Sequence, residues 1–224
     1  CETTILTTLV IGKEKTDIDY FPLSVEYVEK LYAGGRIKGS RWVKREGRPT
    51  DGAILTSRLI DRSIRPLFSD DYRREVQIIN TVLSIDGVNS PEVVAALSTA
   101  CALSACSIPL RGPIATLNIG FVPDKGEVKG HYIVNPKTEE EDSLNMFLTA
   151  SFTKDAVVML EAKAEEVSNE QVAQAISLAT KEGAQLIKLF EEIRKELKVP
   201  EFIEKKLVKD YHGIADKIVK KYHK

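Results

Sequence analysis

The chain has 224 residues, with 32 Lys plus Arg against 33 Asp plus Glu and a net charge of -1. At 43% hydrophobic and 29% charged residues it has the balance of an ordinary globular chain, which excludes a collagen, a coiled coil along the whole length and wholesale disorder. No window reaches the roughly 18 apolar residues of a membrane span, and the three cysteines, Cys1, Cys101 and Cys106, form no disulfide framework. A reducing compartment and no membrane partner are therefore expected.

Thr3 to Ile11 is rich in Thr, Ile, Leu and Val and reads as a strand. The chain starts at Cys1-Glu2 rather than Met and runs straight into this stretch, which predicts an N-terminally truncated domain. Tyr20 to Tyr27 carries Phe21, Leu23, Val25 and Tyr27 on one alternating face and predicts a second strand. Ala33-Gly34-Gly35 breaks that pattern. Lys38 to Pro49 is a basic loop tipped by Trp42. In Ala53 to Ile64 the residues Ile54, Leu55, Leu59 and Ile60 fall at helical spacing, and Pro66 ends the helix or lies just beyond it.

Val76 to Ile85 alternates and predicts a strand. Ser90-Pro91-Glu92 is a helix start, with Ser as N-cap, Pro in the first turn and Glu on the positive end of the dipole. The helix from Val93 to Cys106 is lined by small apolar residues and should be buried against a sheet. Ile114 to Val122, Tyr132 to Val134, Met146 to Ser151 and Ala156 to Ala162 read as strands, with Asp124-Lys125-Gly126 as a turn. Ser168 and Gln171 form a capping box for a long helix whose stripe runs from Val172 to Leu197 and which Pro200 ends. Glu201 to Lys224 is a shorter, Lys-rich helical stretch. This order predicts an α+β architecture of mixed α/β layers.

Charge is segregated. Residues 36 to 74 hold eleven basic residues and five acids, a balance of +6, so the remainder carries -7. Nine of the eleven are Arg, whose planar fork matches phosphate oxygens. This predicts a polyanion site rather than a general affinity for acids. The competing reading is that individual Arg side chains are solvated or pair with Asp61, Asp70 and Asp71. Arg58, Arg62 and Arg65 share one helical face; structure is favoured for Arg62 and Arg65, and Arg58 stays open between phosphate contact and fold. GxxxxGK[ST] and GxGxxG are both absent. His131, His212 and His223 are scattered in turns and the tail, and Ser104 and Ser107 have no evident His partner, so nucleophilic catalysis is weakly supported.

Several stretches are specific: Phe21 to Tyr27, Tyr32 to Ile37, Lys44-Arg45-Glu46-Gly47-Arg48-Pro49, Ser57 to Phe68, Glu75 to Ile78, and Ile108 to Ile114. Together they resemble the first ribonuclease PH-like domain of the polynucleotide phosphorylase family, over nearly all of residues 1–198. Residues 199–224 resemble the start of the helical linker domain that follows it. The resemblance implies the ribonuclease PH-like fold (ribosomal protein S5 domain 2-like), with its first strands missing here.

It also implies a phosphorolytic 3′-to-5′ exoribonuclease that degrades single-stranded RNA with inorganic phosphate and Mg²⁺, releasing nucleoside diphosphates reversibly. The family forms a ring-shaped homotrimer, joins RNA degradation complexes, and works in the cytoplasm or an organelle; no DNA partner is expected. A family loop that contacts RNA matches Trp42, Val43, Lys44 and Arg45, ahead of Arg48. Trp42 can stack on a base at roughly 1–3 kcal/mol, Val43 cannot, and the loop is one residue longer near Arg41. Arg41 and Arg58 are further phosphate or RNA contacts that the resemblance suggests.

The paired Asp positions of active family domains match Glu139 and Asn145. An amide is a poorer Mg²⁺ ligand than a carboxylate and cannot act as a base at neutral pH. The resemblance thus places Mg²⁺ and the main chemistry in a second core domain, assigns no metal site to this one, and gives it an RNA-channel and trimer-assembly role. The alternatives are a self-contained ribonuclease PH-type enzyme, and a non-catalytic scaffold subunit of an exosome-like ring.

Overall fold

The computed structural model describes residues 2–15, 17–37, 39, 47–69, 71–124 and 130–200. The basic loop at 40–46, with Arg41, Trp42, Lys44 and Arg45, lies outside the described residues. So do Lys125 and Gly126 of the expected turn, and the expected helical stretch at 201–224.

Among the described residues, seven strands form two sheets. In the first, β1 (Thr4–Glu14) and β2 (Leu23–Glu29) flank β3 (Arg74–Ser84), β1 antiparallel and β2 parallel to it. The parallel pair requires a crossover, supplied by helix α1 (Asp51–Ile64). The second sheet has four antiparallel strands, β5 (His131–Val134), β4 (Ala115–Val122), β6 (Met146–Phe152) and β7 (Val157–Ala164), in that order. Between the sheets in sequence and in space lies α2 (Pro91–Ser104), which packs against β1, β3 and β4. Helix α3 (Asn169–Glu196) packs on β4 and β6. The architecture is the expected mixture of helix and sheet layers.

Local chemistry explains the boundaries. The hydroxyl of Thr50 accepts a bond from Ala53 N at 3.0 Å and so starts α1. Helix α1 stops at Ile64, and Arg65–Leu67 continues as a 3-10 turn around Pro66. At α3 the expected capping box forms: Gln171 N donates to Ser168 Oγ at 3.3 Å, and Ser168 N to Gln171 Oε1 at 2.9 Å. Pro200 does not end α3; the helix closes at Glu196 with Leu197 as its cap. The Pro200 carbonyl instead accepts the Ser107 hydroxyl at 3.0 Å.

Other departures have equally local causes. β1 extends to Glu14 because Glu14 still pairs with Arg74 of β3. Tyr20 to Pro22 lies outside β2: the Phe21 ring packs on Phe68 at 4.5 Å and on Tyr72 at 5.5 Å, while the Pro22 carbonyl accepts Val76 N at 3.0 Å. Ser90 occupies the N-cap position of α2, yet its side chain makes no capping bond. His131 begins strand β5 opposite Val122 rather than sitting in a turn.

The core joins the two sheets. Ile60 and Ile64 of α1, Val76 and Ile78 of β3, Leu103 of α2, Ile119 of β4 and Leu148 of β6 are all essentially closed to solvent. The short side chains of α2, Ala95, Ala96, Thr99 and Ala100, let its neighbours approach closely, and all four are buried. α3 meets the second sheet through Gly183, where an added Cβ would overlap the Phe152 ring. One chain of polar residues runs through this core: the Ser151 hydroxyl lies 2.8 Å from both the Ser63 and the Thr116 hydroxyls. Such a network ties α1 to β4 and β6.

Candidate functional site

Helix α1 borders two regions of opposite character. On one side lies a groove of about 400 Å³ between the start of β2 (Leu23, Ser24, Val25) and the middle of α1 (Ser57, Arg58, Asp61, Arg62). On the other lies the N-terminus of α2.

Three arginines of the α1 region fare differently. Arg65 grips Asp61 with both ends of its fork, Nε to Oδ2 at 2.9 Å and Nη2 to Oδ1 at 2.6 Å. Its remaining donors reach the carbonyls of Phe21 at 3.1 Å and Leu23 at 3.3 Å, and its guanidinium lies 5.7 Å from the Phe21 ring centre. Arg65 therefore ties α1 to the entry of β2. Arg62 pairs with Glu161 of β7. Arg58 is exposed and lines the groove. Arg48 is also exposed, two residues before the Thr50 cap, which donates to Glu29 Oε2 at 2.8 Å and so joins the start of α1 to the end of β2.

The N-terminus of α2 lies among carboxylates. Glu92 stands in the first turn of α2. Burial raises its carboxyl above the usual carboxylate range, and the nearby negative charges of Glu141, Glu161 and Glu29 push the same way, against a hydrogen bond from Thr56. Tyr27 below it is pushed well up by burial, then by Glu29 and Glu92.

A helix N-terminus is ordinarily a ready anion site, because free N–H groups and the dipole point at the ligand. Here Pro91 brings no N–H, and Glu92 supplies a carboxylate of its own. Three further carboxylates act on it. The arrangement disfavours a phosphate at this helix end.

Glu139 and Asn145 lie on the segment between β5 and β6. Glu139 sits exposed on a 3-10 turn, Thr138–Ser143, which Glu140 closes by accepting Lys137 N at 2.8 Å. Thr138 N bonds the Val88 carbonyl at 3.0 Å, linking this turn to the loop before α2. Asn145 is half-buried at the head of β6; its N–H donates to Phe121 at 2.9 Å and its carbonyl accepts Glu165 N at 2.8 Å. An exposed Glu and a neutral amide do not make a Mg²⁺ site, and among the described residues no group of three His, Cys, Asp or Glu side chains could hold a metal ion. Ser104 and Ser107 spend their hydroxyls on the carbonyls of Ala100 and Pro200, at 2.8 and 3.0 Å.

The structure thus places Arg58 on α1 beside the groove and Arg48 in the segment just before that helix, and sets Glu139 and Asn145 on the segment between β5 and β6. The acidic company of Glu92 was not read from the sequence, which gave that residue only a dipole role. Glu29, Glu92, Glu141 and Glu161 are scattered along the chain, and no spacing rule unites them.

The paired sheets, the parallel β2–β3 crossover and the closing helix define a ribonuclease PH-like domain. A crystal structure of rice (Oryza sativa) Rrp46 has this fold, with a TM-score of 0.65 and 14% sequence identity, covering 88% of this chain and 85% of that one. Residues 2–109 match the 3′ exoribonuclease family, domain 1. Among curated proteins, the polyribonucleotide nucleotidyltransferase of Alkaliphilus oremlandii is 47% identical over 197 residues, 88% of this chain and 27% of that protein. The same-named enzymes of Exiguobacterium sibiricum and Bacillus cytotoxicus are 48% and 44% identical over 192 residues, 86% of this chain and 25% and 26% of theirs. Over 86–88% of its length the chain is thus similar to polyribonucleotide nucleotidyltransferases, and it spans about a quarter of the length of these relatives.

Proposed function

We propose that this chain serves as the first ribonuclease PH-like core domain of a phosphorolytic 3′-to-5′ exoribonuclease, and that its part is to hold RNA and assemble the ring. Residues 1–198 correspond to that domain and 199–224 to the start of the segment that follows it in the sequence. The whole enzyme degrades single-stranded RNA with inorganic phosphate to nucleoside diphosphates, as a homotrimer in the cytoplasm or an organelle. The free thiols Cys101 and Cys106 are compatible with a reducing compartment.

The observation that carries this division of labour is the α2 terminus. Phosphorolysis needs a phosphate and stabilised charge at the reacting centre, and here the first turn of α2 carries Pro91, which has no N–H, and Glu92, whose own carboxylate is set among other acids. No chemical step is assigned to this helix end, and Mg²⁺ belongs with another domain of the enzyme. RNA contact falls instead to the Arg-rich side: Arg48 among the described residues, together with Arg41, Trp42, Lys44 and Arg45.

Binding of a labelled single-stranded RNA across a salt series tests the RNA role. Contacts to phosphates make log affinity fall linearly with log salt, by about 0.7 per phosphate for single strands. A slope of two or more such contacts supports the reading; no binding, or binding indifferent to salt, removes it.

A further inference from the structure

We propose that the groove between α3 and β7 is the seat of segment 201–224 of this same chain, laid antiparallel to α3. This contact stands whether or not the chain holds RNA.

The fold leaves one side of the second sheet only partly covered. Leu160 and Ala162 of β7 pair with Ala150 and Leu148 of β6 and so share their side of the sheet. That is the side of α3, since Gly183 of α3 meets the ring of Phe152, next but one to Ala150. Yet α3 packs on β4 and β6 rather than on β7, so Leu160 is 45% exposed and Ala162 is exposed as well. A pocket of about 590 Å³ opens at the end of this strip, floored by Phe152 and Ile187 and walled by Val157, Thr180 and Ala184. Packed helices lie about 8–10 Å apart and neighbouring strands about 4.8 Å apart, so the strip over β7 has the width of one further helix.

The path of the chain points to the occupant. Helix α3 closes at Glu196, and Lys198 takes the left-handed conformation at φ 50°. Lys198 N donates to the Lys195 carbonyl at 3.1 Å and Val199 N to the Arg194 carbonyl at 3.2 Å, which turns the chain off the helix. A further helix joined by a short link packs beside the first and antiparallel to it. One flank of α3 is taken, because Arg194 donates to the carbonyls of Ser104 and Cys106 at the end of α2, at 3.4 and 3.2 Å. The other flank is the groove. The Ser107 hydroxyl holds the Pro200 carbonyl at the α2 corner. From there the three residues to Ile203 span about 10 Å, the diameter of a helix, which is enough to cross the end of α3.

Segment 201–224 lies outside the described residues, and its sequence fits the strip. Ile203, Leu207, Tyr211, Ile214, Ile218 and Tyr222 recur at spacings of four, four, three, four and four, the pattern of one helical face. As a helix the segment would run about 36 Å, against about 42 Å for α3. Charge fits the antiparallel direction. It carries Lys217, Lys220, Lys221 and Lys224 toward the start of α3, where Glu165, Glu166 and Glu170 are exposed. Neither Glu165 nor Glu166 has an ion-pair partner among the described residues. At the pocket end both sides carry both signs, Lys188 and Glu191 on α3 against Glu204 and Lys205 on the segment. The short link also favours the chain's own groove over that of a second copy, since such a tether holds the segment at an effective concentration on the order of millimolar.

The test is limited trypsin digestion of the full 224-residue chain, with cleavage after Lys205, Lys206, Lys209 and Lys217 followed by mass spectrometry. Ala184→Glu and Leu160→Asp each place a charge in the strip at an exposed position, and should speed cleavage roughly tenfold, since cleavage follows local opening. Leu207→Asp should do the same without altering the strip. Glu165→Gln combined with Glu166→Gln should speed cleavage about twofold at low salt and leave it unchanged at high salt. Circular dichroism and thermal melting check that each variant keeps the wild-type fold.

Wild-type cleavage as fast as that of Leu207→Asp would overturn the proposal. So would release by Leu207→Asp with none by Ala184→Glu or Leu160→Asp, which moves the seat elsewhere on the domain. Protection that fades over a roughly hundredfold dilution of the chain would give the segment to the groove of a second copy instead.

Discussion

The two sides of α1 differ in how their charges are settled. Toward β2, each acid in the groove is matched and one arginine is left over. Toward α2, one arginine is spent on Glu161 while Glu29, Glu92 and Glu141 crowd the helix end. One helix therefore borders a surplus guanidinium on one side and a surplus of carboxylates on the other. The same helix can thus present opposite local charge to its two neighbours, according to which acids the fold delivers to each side.

Breaking the shared scaffold should abolish the comparison altogether, and gives the largest effect. Phe152→Ala removes a ring that is 1% exposed and packs against Gly183, and should cost about 3–5 kcal/mol in chemical denaturation. Gly183→Ala attacks the same contact from the helix side, by overpacking, and should cost about 1–3 kcal/mol.

A smaller effect isolates the clamp between the two sides. Arg65→Ala loses its grip on Asp61, two carbonyl contacts and the Phe21 ring, and should cost about 1–2 kcal/mol by urea titration. Arg65→Lys, which keeps the charge and loses the fork, should rescue little of this.

The acidic side is probed by pH. The Glu92 carboxyl is raised, so the folded chain keeps a proton that the unfolded chain releases. Stability then falls as pH rises from the ordinary Glu range through the raised value. Glu92→Gln should remove that loss and stabilise the chain at neutral pH, by under about 1 kcal/mol for a site this open. Melting curves at several pH values check this, and a variant that melts below the wild type at neutral pH contradicts it. Asp86 works in the opposite sense. The N–H groups of Asn89 and Val88 and the Asn89 amide hold its carboxyl well below the usual range. Its contribution is present above the ordinary Asp range and is lost as pH falls toward the folded value, so Asp86→Ala should flatten the acid limb of stability.

The order of elements was legible because each rests on neighbours in sequence. Ser168 and Gln171 are three residues apart and announce α3; the apolar spacing of Ala53 to Ile64 announces α1. Boundaries set by partners far away were not. Arg62 meets Glu161 across 99 positions, and β1 lengthens to Glu14 only because Arg74 faces it. Ser90 was read rightly as the position of a cap and wrongly as its chemistry, since whether the hydroxyl turns onto the helix depends on the loop that delivers it. The candidate site was half legible. The surplus of arginine showed in composition, whereas which arginine is left unpaired depends on where every acid ends up.

The most direct measurement of the central claim is phosphate-dependent release of nucleoside diphosphate from a single-stranded RNA with Mg²⁺, on a sample shown by anisotropy to be bound to that RNA. The account predicts binding with no diphosphate above the level seen without protein. Diphosphate that appears with the folded chain and disappears when phosphate is withheld would contradict it, and would place a working phosphate site where Glu92 and Asn145 now stand.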